Sequence, residues 1–153
     1  NVFTGYWMKA EASAEALRGG WFHTGDLGRM DAEGFITLVD RKKDMIISGG
    51  ENVYPIEVEQ VLFRHPAVFD AAVIGGKDAK WGERVVAVVV ADPATQAPSA
   101  EEIVAWCRER LAHFKCPRDV HFVAELPRNA TGKLLKTELR AQFTGIEGGV
   151  VLR

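Results

Sequence analysis

The sequence predicts an α+β domain of three layers or fewer, starting near Lys42 and preceded by a β-hairpin that ends another domain. Three observations predict it. After Lys42, strand-length apolar runs interleave with apolar residues at helical spacing. Before it, two strand-like runs flank the turn Asp31-Ala32-Glu33-Gly34. Between them, residues 40–59 (DRKKDMIISGGENVYPIEVE) put an arginine, two lysines and a Gly-Gly turn into one short hinge-like stretch.

In chain order, residues 27–30 and 35–39 read as the two hairpin strands. Met45, Ile46 and Ile47 make a short apolar strand, and Ser48-Gly49-Gly50 lets the backbone turn sharply and approach its surroundings closely. Pro55 opens a helix with Val58, Val61 and Leu62 on one face, ending before His65-Pro66. Residues 68–74 and 84–91 read as strands separated by a loop over 75–83, and 92–98 as a polar, Pro-containing connector. Ser99 and Glu102 have capping-box spacing, and Ile103, Trp106, Cys107 and Leu111 share a helical face, which makes Trp106 a core residue. Residues 120–124 supply a third strand, 137–143 a short closing helix and 145–153 a loose tail, with no internal repeat.

The 153 residues are 47% hydrophobic and 26% charged with a net charge of −2. That balance is soluble and globular, and not basic enough for a nucleic-acid footprint. Apolar runs such as residues 85–91 are too short to span a bilayer and the N-terminus lacks a signal-peptide layout, so a cytoplasmic location is the default. Cys107 and Cys116 lack CxxC spacing and the four histidines are scattered, a pattern that supports neither a disulfide framework nor a zinc site.

Residues 40–59 closely resemble a signature of the adenylate-forming superfamily, which includes acyl-CoA synthetases, aryl-CoA ligases, luciferases and peptide-synthetase adenylation domains. Trp21-Phe22-His23-Thr24-Gly25-Asp26-Leu27 resembles its ribose-binding motif, and Leu126-Pro127-Arg128-Asn129-Ala130-Thr131-Gly132-Lys133 its C-terminal motif with the catalytic lysine. Three motifs in the right order are much harder to obtain by chance than one. The resemblance implies that residues 1–41 end a large N-terminal domain and that residues 42–153 form the small, mobile C-terminal domain of the adenylate-forming fold. The chain opens at Asn1 without an initiator Met, and the family's enzymes are longer. A C-terminal piece of a larger enzyme is therefore expected, the remainder holding the phosphate loop, the Mg2+-binding glutamate and the acyl pocket.

Forming an acyl adenylate brings a carboxylate onto the α-phosphate of ATP, so positive charge is needed where two anions meet. The resemblance assigns that role to Lys133, in a Thr131-Gly132-Lys133 loop that can carry an amine into a cleft; by residue type alone it reads as a solvated lysine in an exposed loop, as most lysines are. A Walker A reading fails, because Pro127 stands where its first glycine would be and Leu134 replaces the Ser/Thr. Asp26 can accept hydrogen bonds from both ribose hydroxyls or simply cap a turn, and Arg41 offers a planar fork for ribose and phosphate oxygens or ends a strand at the surface. For both, the resemblance implies ATP/AMP binding.

Lys43 matches the pivot of the family's small domain, which is thought to present the Lys133 loop for adenylation and then rotate to present Gly49, Gly50, Glu51 and Asn52 to pantetheine. The segment Ser48-Gly49-Gly50-Glu51-Asn52-Val53-Tyr54-Pro55 resembles fatty- and aryl-acyl-CoA synthetases more than peptide-synthetase domains, which favours CoA as the thiol. Trp81, Phe114 and Arg118 match residues near the CoA nucleotide, Cys116 stands where some relatives have a basic residue, and Trp81 could equally be a packing anchor. The expectation is an AMP-forming acid–thiol ligase using a carboxylic acid, ATP, Mg2+ and CoA, with this chain alone inactive. The alternatives are an adenylating enzyme that charges a carrier-protein thiol, and a non-catalytic module that binds CoA or a partner.

Overall fold

In a computed structural model of the chain, residues 2–143 are described. The expected tail over 145–153 lies outside them. The chain forms two compact units that divide between Lys43 and Asp44.

The first unit holds a short helix, α1 (Ala10–Ala16), and an antiparallel hairpin of β1 (Asp26–Met30) and β2 (Ile36–Arg41). The Asp31 carboxylate accepts the Glu33 and Phe35 N–H groups at 3.0 and 2.9 Å, which closes the hairpin turn. A bulge between Leu27 and Gly28 shifts the pairing by one residue, so that Asp26 stands opposite Arg41. Helix α1 is an addition to the elements expected from the sequence. Among the described residues every buried hydrophobic side chain belongs to the second unit, while Trp7, Trp21, Met30, Phe35, Ile36 and Leu38 are exposed in the first.

The second unit is a five-stranded sheet with helices on both faces. Its strands are β3 (Ile46–Ser48), β4 (Glu51–Val53), β5 (Val68–Asp78), β6 (Gly82–Ala91) and β7 (Asp119–Phe122), and its helices α2 (Pro55–Leu62), α3 (Ala100–Arg108) and α4 (Lys136–Phe143). One edge of β6 pairs with β5 along its length; the other meets β3 at Gly82 and runs parallel to β7 from Val86 to Val89. Val85, Ala87 and Val89 pack with Val58, Leu62, Ile103 and Cys107 of α2 and α3, whereas Val86, Val88 and Val90 pack with Leu126 and with Leu139 and Phe143 of α4. Burial on both faces accounts for the unbroken valine run in β6.

Local chemistry sets the element ends. Pro55 begins α2, and the Ser99 capping box is complete: Ser99 Oγ accepts Glu102 N–H at 3.1 Å and Glu102 Oε2 accepts Ser99 N–H at 2.7 Å, a cap worth about 1 kcal/mol. Trp106 packs against the core and donates its indole N–H to the Val61 carbonyl at 2.9 Å. Buried Glu59 reaches the outer edge of β5, accepting Val73 N–H at 2.9 Å and the Lys136 ammonium at 2.8 Å, so a charge that would be costly alone is paired and an edge donor is satisfied.

The expected loop over 75–83 is corrected. Both strands continue through it, pairing Gly76 with Arg84 and Asp78 with Gly82, and only residues 79–81 connect them. The glycines are there for close approach: a Cβ on Gly75 would lie 2.7 Å from Glu83 Oε1, and one on Gly76 2.8 Å from Val86 Cγ2. Strand β4 was not anticipated either, and β7 ends at Phe122, before the Ala124 expected.

His121 is buried at 1% exposure and stacks on Phe143 with centroids 4.7 Å apart, and neither ring nitrogen has a hydrogen-bond partner among the described residues. Burial pushes its pKa below the ordinary 6.5. Protons therefore bind the unfolded chain more readily, so stability is full above about pH 6.5 and declines as pH falls towards the lower folded-state value. We expect His121→Leu to flatten that decline in urea midpoints measured from pH 7.5 to 5, with the remaining slope from His65, which burial also lowers. An unchanged slope would contradict a neutral, buried His121.

Candidate functional site

The first unit offers a small polar constellation. Thr24 Oγ1 accepts Asp26 N–H at 3.1 Å, and the Gly25 carbonyl accepts Lys42 N–H at 2.8 Å, with Gly25 at a φ of 76° that suits glycine. Cross-strand register then brings Arg41 Nε to 3.4 Å from Asp26 Oδ1, both side chains remaining partly exposed. An open cleft beside them is lined by Thr24, Gly25, Arg41, Lys42 and Lys43. A half-exposed carboxylate beside a guanidinium fork can accept from vicinal hydroxyls while the fork donates to nearby oxygens.

In the second unit, Gly49 and Gly50 are the central residues of the β3–β4 turn, with φ of 61° and 86°. Positive φ at both is what a type I′ hairpin turn requires. Gly49 N–H donates to the Trp81 carbonyl at 2.9 Å, and the indole lies so close that a Cβ on Gly49 would stand 2.7 Å from Trp81 Cε3. Trp81 is in turn fixed by Asp78, whose Oδ1 accepts both Lys80 and Trp81 N–H groups at 2.9 Å. Those two bonds, that from Trp81 foremost, hold the Asp78 carboxyl below its ordinary pKa. Glu51 and Asn52 are exposed on β4, the edge strand that leaves this turn.

The Arg118 guanidinium sits 5.2 Å and the Lys80 ammonium 4.6 Å from the Trp81 ring centre. Beside them a cleft is lined by Lys77, Lys80, Arg84 and Arg118 with Asp78 and Asp119. Arg84 is buried and bonded to Asp119 and to the Lys77 carbonyl, so it shapes this cleft from below. Phe114 is exposed in a short 3₁₀ turn, His113–Lys115, which Lys115 fastens to Glu57 of α2 through bonds of 2.7 and 2.8 Å. The structure thus joins Gly49, Trp81 and Arg118 in one cluster. Cys116 contributes no charge to it: the side chain is buried and burial raises its thiol pKa, as it raises that of Cys107 to about 12.

Lys133 lies on an exposed hairpin closed by the Arg128–Leu134 bridge, with Gly132 at a φ of 80°. Arg128 connects this hairpin to Asp70 near the start of β5, at 2.7 Å, whereas Asp78 and Trp81 mark the far end of the same strand pair. Eight residues of extended strand separate Asp70 from Asp78, a span of about 26 Å. The Lys133 loop and the Gly49 turn are therefore anchored at opposite ends of the β5–β6 hairpin. Among the described residues no group of three or more His, Cys, Asp or Glu could hold a metal ion, and no helix is long and apolar enough to cross a membrane.

Asp78 and Asn129 were not singled out from the sequence. Both are local acceptors two to four residues ahead of the amides they bind, and Asx-turn spacing was the available signal.

The profile of the AMP-binding enzyme C-terminal domain matches residues 57–133. A feruloyl-CoA synthase from an Amycolatopsis species is 50% identical over 143 residues, covering 94% of this chain and 29% of that protein. A long-chain-fatty-acid–CoA ligase of Mycobacterium tuberculosis is 52% identical over 139 residues, covering 91% and 27%. Among solved structures, o-succinylbenzoate CoA synthetase from Bacillus subtilis, in complex with an acyl-adenylate intermediate, superposes with a TM-score of 0.82 at 44% identity over 99% of this chain and 30% of that one. The chain spans less than a third of the length of these relatives.

Proposed function

Because the chain belongs to the AMP-binding enzyme C-terminal domain family, we propose that it is the C-terminal part of an AMP-forming acyl-CoA synthetase. Its enzyme joins a carboxylic acid to ATP, releasing pyrophosphate, and then passes the acyl group from the adenylate to CoA, releasing AMP. The observation that carries this reading is the separation of the Lys133 loop from the Gly49 turn along one rigid strand pair. A domain with two such ends can serve two half-reactions by turning.

Lys133 supplies positive charge to the α-phosphate and the attacking carboxylate during adenylation. Its ammonium has no hydrogen-bond or ion-pair partner among the described residues, which leaves it available for that anion. Asp26 and Arg41 hold the ribose, and their pairing across β1 and β2 supports a common ligand. Removal of Lys133 then frees the entrance for a thiol. Gly49, Gly50, Glu51 and Asn52 line the pantetheine path, where bare glycines let a slender chain pass near backbone, and Trp81, Phe114 and Arg118 receive the CoA nucleotide. Division of the chain beside Lys43 supports that residue as the pivot.

The exposed apolar residues of the first unit support its attachment to a large N-terminal domain that contributes the acyl pocket and the phosphate loop. Mg2+ enters with ATP, held by phosphates and by that domain. The cytoplasm, where ATP and CoA are both available, is the compartment assigned to the enzyme in this proposal. Offering the full-length enzyme equal CoA and phosphopantetheinylated carrier protein tests the acceptor: acyl-CoA as the main product is expected, and acyl-carrier as the main product would overturn CoA as the thiol.

A further inference from the structure

We propose that Asn129 is a positioning residue for adenylation: its side-chain carbonyl sets the shape of the hairpin that presents Lys133. The inference rests on the assignment of Lys133 to that half-reaction. One oxygen, Asn129 Oδ1, gathers the hairpin, accepting Thr131 N–H at 3.1 Å, Thr131 Oγ1–H at 2.8 Å and Lys133 N–H at 2.8 Å. Backbone bonds frame the same turn, from Gly132 N–H to the Asn129 carbonyl and from Asn129 N–H to the Lys133 carbonyl, both at 2.9 Å.

Residues 128–133 are all exposed, so no apolar core holds them. Polar bonds alone decide where the hairpin points. The lysine stem has four flexible carbons, and what the fold can fix is its root, the Lys133 backbone that Asn129 grips. A second clamp aims the hairpin as a whole: Arg128 donates to the Gly132 carbonyl at 3.0 Å and pairs with Asp70 of β5 at 2.7 Å. Asn129 thus shapes the loop, and Arg128 with Asp70 ties it to the sheet. Displacing a reacting group by about 1 Å can cost about a hundredfold in rate.

The test uses the full-length enzyme and two assays: acid-dependent ATP–pyrophosphate exchange, and thioester formation from supplied acyl-adenylate and CoA. Asn129→Ala is expected to lower exchange about ten- to a hundredfold, with thioester formation and the thermal midpoint unchanged. Asn129→Asp, which keeps the accepting oxygen, is expected to restore most of the exchange. Normal exchange in Asn129→Ala, equal loss in both assays, or an Asp variant as poor as the Ala variant would each overturn the proposal. Lys133→Ala in the same series separates the two levels of the argument. If that variant exchanges normally, the Lys133 assignment itself is wrong and the Asn129 role goes with it. If it is inactive in exchange while Asn129→Ala is normal, only the Asn129 role is wrong.

Discussion

Replacing Lys133 with alanine is expected to lower acyl-adenylate formation by the full-length enzyme about a hundred- to a thousandfold, the usual consequence of losing one preorganised charge donor. Thioester formation from supplied acyl-adenylate is expected to stay at the wild-type rate. The asymmetry follows from placement: Lys133 stands on a hairpin tied to Asp70, while the proposed thiol path is tied to Trp81 at the other end of β5 and β6. Pre-steady-state measurement of both half-reactions checks it. Equal loss in both, with the fold intact, would sink the two-ended scheme. Acetylation of Lys133, which removes the charge, is expected to act as the alanine does.

The mirror-image variant is Gly49→Ala. Here adenylation is expected to persist and thioester formation to fall at least about tenfold, because two constraints meet at this atom. A φ of 61° costs a non-glycine residue about 1–2 kcal/mol, and the new Cβ would lie 2.7 Å from Trp81 Cε3, so either the turn or the indole must move. Either movement disturbs the cluster of Gly49, Trp81 and Arg118. Normal thioester formation in this variant would remove the Gly49 turn from the thiol path. Gly50 shares the positive φ, at 86°, but a Cβ there would meet nothing within 4 Å, so Gly50→Ala carries the backbone cost without the clash against Trp81.

Much of this was legible in the sequence where one residue type has one physical use. Ser99 and Glu102 formed the capping box that their spacing announced, and Pro55 opened the helix that its fixed φ suits. What escaped depended on neighbours distant in sequence. Gly75-Gly76 reads as a loop until Glu83 and Val86 are seen pressing on it from the partner strand. Strand β4, with only Val53 buried, has too little apolar content to announce itself, and the parallel direction of β7 leaves no local trace.

The site divided in the same way. Motif positions pointed to Asp26, Arg41 and Lys133, but a bulge at Leu27/Gly28 decides that Asp26 faces Arg41, and no residue count predicts it. For Trp81 the sequence left packing and ligand contact open. The structure shows it packed on Gly49 on the one hand and near the Arg118 and Lys80 cations on the other. Asn129 belongs to the motif that ends in Lys133, but its grip on Thr131 and Lys133 depends on the shape of the turn, which the motif does not spell out.

The central claim, that this chain completes an acid–CoA ligase, is tested most directly by supplying the full-length enzyme with ATP, Mg2+ and a panel of fatty and aromatic acids and following AMP with and without CoA. AMP release that requires both an acid and CoA, with the matching acyl-CoA as product, is the predicted result. Acid-dependent pyrophosphate exchange with no acyl-CoA formed, or no acid-dependent reaction across the panel, would contradict it.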